Sequence, residues 1–209
     1  MSEPGAFAVP QRGRVTTDAG APPPRSPAWI AGWVLVGVLS GVGIAFAPGG
    51  ATAGGEPLTL GVTAAAPATA VGVAALCYLA AAATGRRWVG WAAVPVASAL
   101  PCLQLAGIPR WASFGAVGLV LLVVGVAARR PTTLAQAGAL VAYYGVALAA
   151  VGLAPRAGLV VAGLALAAHA AWDLVHYRRD IVVHRSLAVW CIGLDLTVAA
   201  ICVAFAAAG

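Results

Sequence analysis

The chain has 209 residues, of which 62% are hydrophobic and 9% charged, against about 25% charged in an ordinary soluble domain. That composition belongs to a lipid bilayer. There is no lysine, so retinal and other Schiff-base cofactors, which need a lysine amine, are excluded. The net charge of +6 rests on arginines that fall between apolar stretches, where they set orientation in a membrane rather than contact nucleic acid.

Residues 1–27 combine six prolines, three arginines and two acids with small residues, a mixture that cannot bury enough apolar area to offset the entropy of ordering. They read as a disordered cytoplasmic tail. An apolar stretch then runs from Ala28 to Ala47, and six more follow at 59–84, 88–107, 111–128, 134–154, 157–177 and 186–207. Each is close to the roughly 20 residues that a crossing helix needs. The expected fold is all-α: a seven-helix transmembrane domain over 28–209.

Arginine placement tests that parsing independently. With the tail inside, the inner segments carry Arg12, Arg14, Arg25, Arg86, Arg87, Arg129, Arg130, Arg178, Arg179 and Arg185, and the outer ones only Arg110 and Arg156. The bias predicts a cytoplasmic amino terminus and an outside carboxyl terminus, and the expected location is a bacterial inner membrane, crossed several times. Trp29, Trp88 and Trp111 sit at expected span ends, where amphipathic rings favour the interface. Gly37-x-x-x-Gly41 predicts a close helix–helix approach. The four cysteines, Cys77, Cys102, Cys191 and Cys202, lie singly in apolar segments and read as small core residues, with a Cys102–Cys202 pairing as the alternative.

In so apolar a chain the informative residues are those costly to bury, and within the spans these include Asp173 and Asp195. Spacings of four and three place His169, Asp173 and His176 on one helix face. Counted from the short loop at 178–185, His169 lies roughly 12 Å deep and Asp195 roughly 13 to 14 Å, so the two can meet. The same count brings Ser98, bracketed by Pro95 and Pro101, and Tyr143 and Tyr144 to a similar level. Trp172 and Trp190 complete a candidate substrate-binding layer. Ser186 is the expected cap of the last span.

Two chemistries suit this cluster. Imidazole and carboxylate can hold zinc or iron, with His169, Asp173 and His176 as the candidate ligands and Asp195 as a further one. Alternatively, a carboxyl beside an imidazole is an acid–base pair, with His169, Asp173 and Asp195 as candidate catalytic groups acting on a lipid or isoprenoid. A proton-coupled transporter or channel, and a purely structural Asp–His bond between helices, stay open beside the enzyme. The bilayer itself is the partner the sequence implies.

The pattern His169-x-x-Trp172-Asp173-x-x-His176, followed by Cys191-x-x-x-Asp195, resembles the last two helices of an uncharacterised family of small bacterial membrane proteins. The resemblance covers about 40 residues and implies that His169, Trp172, Asp173, His176 and Asp195 form a shared site, without implying an activity. Seven-helix intramembrane hydrolases of the ceramidase and adiponectin-receptor kind share the helix count and ligand types. This chain lacks their H-x-x-x-H pair, so the likeness is one of analogy.

Overall fold

A computed structural model describes residues 26–46 and 63–208. Most of the tail, and the connection from Gly49 to Pro57, lie outside the described residues. Seven helices are long and apolar enough to cross a membrane: α1 (Pro27–Ala45), α2 (Ala65–Thr84), α3 (Val89–Ala106), α4 (Arg110–Ala127), α5 (Thr133–Ala150), α6 (Pro155–Arg179) and α7 (Arg185–Ala208). No strand occurs among the described residues. The chain is a multi-pass integral membrane protein.

Local chemistry sets the helix ends. Ser26 caps α1 by accepting a hydrogen bond from the Trp29 amide, and Pro27 and Pro155 occupy first-turn positions where a missing N–H costs nothing. Gly85 ends α2 in the left-handed conformation, with φ of 65°. Arg178 and Arg179 in the last turn of α6 stand at the negative end of its dipole.

Two helices are irregular. Beyond Ala99, α3 tightens into a 3-10 stretch over Leu100–Ala106 that contains Pro101, because a proline supplies no amide to the helical ladder. In α5 the ladder widens to a π turn at Leu140–Tyr144, and the two successive tyrosines at its end point to different neighbours, as adjacent helical residues do. Tyr144 stacks on Phe114 of α4 at 5.0 Å, while Tyr143 stands against His169 of α6 at 5.3 Å.

The helices surround α2. Between Pro67 and Ala83 nearly every α2 residue is buried, and the helix touches each of the other six. Its alanines and glycine permit this, since small side chains let backbones approach where lipid supplies no hydrophobic drive. The other close seam joins α1 to α7. A Cβ on Gly41 would stand 2.9 Å from the Leu194 carbonyl, and Gly37 and Gly193 meet backbone oxygens of Trp190 and Val34 more closely still. The Gly37-x-x-x-Gly41 motif is thus matched by a third glycine on the facing helix.

The arginine-bearing loops gather at one end of the bundle. There Arg87 bonds the Val183 carbonyl and forms an ion pair with Asp180, Arg185 approaches Asp180 at 3.3 Å, and Gly85 packs against Arg130. At the opposite end Arg110 donates to Gln104, the Ala65 carbonyl and the Thr69 hydroxyl.

Candidate functional site

The site begins with the antiparallel contact of α6 and α7, the most extensive in the bundle. With a rise of about 1.5 Å per residue, side chains at equal distance from the connecting loop fall at one level. His169 of α6 and Asp195 of α7 occupy such a level. Nδ1–H of His169 donates to Oδ2 of Asp195 at 2.8 Å. Asp173, one helical turn along α6, places its Oδ2 3.4 Å from the same nitrogen. All three side chains are fully buried, and one donor atom from each lies within 4.8 Å of the others.

This cluster is short of partners. His169 Nε2, both carboxylate oxygens of Asp173, Asp195 Oδ1 and the Tyr78 hydroxyl have no hydrogen bond. The imidazole instead stands perpendicular to the rings of Tyr78 and Tyr143, at 5.8 and 5.3 Å.

Two turns along α6, His176 is placed quite differently. Its Nδ1–H donates to the Trp172 carbonyl at 2.8 Å, and its Nε2 accepts from the Gln136 amide at 2.9 Å. The Trp172 indole donates in turn to the Gln136 oxygen at 3.2 Å. Both ring nitrogens are committed, so His176 does not join the ligand set expected with His169 and Asp173. The third donor of that group is Asp195.

A cavity of about 320 Å³ extends from this site. Its wall on α2 runs from Ala65 to Cys77, a rise of about 18 Å. At one extreme lie Thr63 and Arg110, and Asp195 contributes to the lining from α7. The lining is otherwise mainly apolar. Its volume lies at the low end of the roughly 300–1,000 Å³ typical of ligand sites, which suits a slender molecule rather than a lipid with several tails.

The remaining candidates divide between these regions. Ser98 and Trp190 line the cavity, and the Trp190 indole donates to Ser40 at 3.1 Å. Trp172 and Tyr143 lie on the other side, near His176 and His169. Tyr144 is not brought to this layer: adjacent to Tyr143 on the helix, it points away from α6 toward Phe114 and Gly72. Ser186 accepts from the Trp91 indole at 3.0 Å rather than closing the first turn of α7. The cysteines are free; Cys77, Cys191 and Cys202 are buried and Cys102 is exposed.

Sequence reasoning missed Gln136 and Tyr78. Each carries a polar group inside an apolar segment, and that cost of burial was the available signal. Among protein-family models, curated proteins and solved structures, none matches this chain.

Proposed function

We propose that this protein is an intramembrane enzyme acting on a lipid or isoprenoid, with Asp195 as the group that meets the substrate and His169 as its partner. One observation carries the reading: Asp195 belongs both to the buried polar cluster and to the lining of the narrow apolar cavity. The hydrocarbon portion of a substrate suits the apolar walls, and the cavity ends against Asp195, so a reactive group carried along it meets the carboxyl and its imidazole partner once the packing around that residue opens. Such a pair can give and take a proton at one place. The arginine bias supports a cytoplasmic amino terminus, which puts the Arg110 end toward the outside of the expected bacterial inner membrane. The family resemblance is consistent with the same residues forming a site.

The test uses full-length protein in nanodiscs with a single-chain lipid carrying a diazirine. Labelled peptides are expected from the cavity wall, including Val73 or Trp190, with labelling blocked by Ala70→Trp. Long-chain acyl esters, lysophospholipids and isoprenyl phosphates are then assayed for turnover. Asp195→Asn should lower the rate on the active class by about 10²- to 10⁴-fold. Labelling confined to the outer lipid-facing surface, or turnover equal in Asp195→Asn, would overturn the reading.

A further inference from the structure

Water is the usual partner of a carboxylate, and here two carboxylates have been removed from it entirely. Neither oxygen of Asp173 has a well-aligned hydrogen bond, His169 Nδ1 standing 3.4 Å from Oδ2, and Oδ1 of Asp195 has none. Native structures seldom leave buried polar atoms in this state. A proton shared within the cluster, with the Tyr78 hydroxyl beside it, is one way to satisfy these lone pairs; a cation held by all three side chains is the other. The arginines cannot help, since among the described residues they stand at the helix ends and in the connecting loops.

We infer that His169, Asp173 and Asp195 bind a divalent first-row transition-metal ion, of which zinc is the redox-inert representative. A neutral imidazole and two carboxylates balance the ion's charge, leaving a neutral site within the bilayer. The distances suit the size of such an ion. Bonds of about 2.0 to 2.2 Å in a tetrahedral set hold neighbouring donors roughly 3.3 to 3.6 Å apart. The Nδ1 to Asp173 Oδ2 separation is already 3.4 Å, and the Nδ1 to Asp195 Oδ2 separation of 2.8 Å needs to open by about half an ångström.

The donor set also limits the identity of the ion. Imidazole favours zinc, iron, copper and nickel, whereas carboxylates favour magnesium, calcium and manganese; one imidazole with two carboxylates suits zinc, iron(II) or manganese(II). Three protein ligands leave a position for water, as in catalytic rather than structural zinc sites. The cavity ends beside Asp195, whose carboxyl is closed from it, so ion and water would enter from that side as the wall opens. This inference rests on the cluster's geometry; an ion on Nδ1 of His169 and Oδ2 of Asp195 takes the place of the proton between them, so the loaded site and the proton-transferring pair are alternative states of the same residues.

The experiment starts with detergent-purified full-length protein, stripped with chelator and titrated with Zn²⁺, Mn²⁺ and, without oxygen, Fe²⁺. Mass spectrometry for metals and competition against a chromophoric chelator report binding. One ion per chain is expected for at least one of the three, with a higher melting temperature in the loaded protein. Asp173→Asn and His169→Ala should weaken binding by more than the roughly 10- to 100-fold that loss of an outer-shell partner costs. Tyr144→Phe should leave it unchanged. Co²⁺ loading adds a d–d absorption spectrum showing imidazole and carboxylate coordination in wild type, so the test survives a variant that fails to fold. Folded wild-type protein that takes up none of the three ions, or binds equally in Asp173→Asn, would overturn the inference.

Discussion

Two histidines on α6, seven residues apart, occupy opposite situations. His176 sits in a closed circuit in which the Trp172 indole, the Gln136 amide and both ring nitrogens have partners. His169 sits among oxygens that lack them. A closed circuit has nothing left to offer a ligand, and its contribution is to hold α5 against α6. An open cluster is costly to maintain, and proteins keep such costs where binding or chemistry repays them. The two sites share a helix, similar burial and the same residue type, so the difference lies in their hydrogen bonds.

The largest expected effect comes from breaking the closed circuit. His176→Ala leaves the Gln136 amide without its buried acceptor, and unfolding in detergent should show a loss of about 2 to 3 kcal/mol. If instead stability is unchanged, the circuit is not structural and the contrast fails. Replacing both partners, in Gln136→Leu with His176→Leu, should recover about 1 kcal/mol or more over the sum of the single changes, because neither orphan then remains.

At the open cluster the sign should reverse. In chelator-stripped protein Asp173→Leu removes a carboxylate with no well-aligned hydrogen bond, and stability should rise by about 1 kcal/mol or stay level. A loss of several kcal/mol there would show that Asp173 is held by a partner absent from the arrangement described. The smallest effect is expected at Tyr144→Phe, within about 0.5 kcal/mol, since the hydroxyl removed makes no hydrogen bond and the ring stack on Phe114 is kept.

Much of this architecture was legible in the residues because the bilayer imposes few solutions. Span length follows from membrane thickness, and arginines mark one side, so the expected segments agree with the described helices to within a few residues except where the first part of 59–84 and part of the 28–47 stretch lie outside the description. The meeting of His169 with Asp195 was legible for a related reason: a fixed rise per residue converts distance from a loop into depth. Facing direction was harder. Tyr143 and Tyr144 share a depth, but adjacent residues on a helix point in different directions, and which of the two faces α6 depends on how α5 is rotated in the bundle. His176 shares a helix face with His169, yet its partner is an amide on α5, outside the reach of a count along α6. The cavity depends on how α1, α2, α3 and α7 meet, information carried by the packing of many small side chains rather than by any motif.

The buried position of α2 bears on how the protein is made. Only Val71, Val73, Leu76 and Leu79 give this segment the side chains that drive partitioning from the translocon, each worth about −0.3 to −0.6 kcal/mol at the helix centre, whereas α7 carries nine residues of those types. A hub of alanine, enclosed mainly by later-synthesised helices, must therefore wait, weakly held by lipid, until α3 to α7 emerge from the ribosome to surround it.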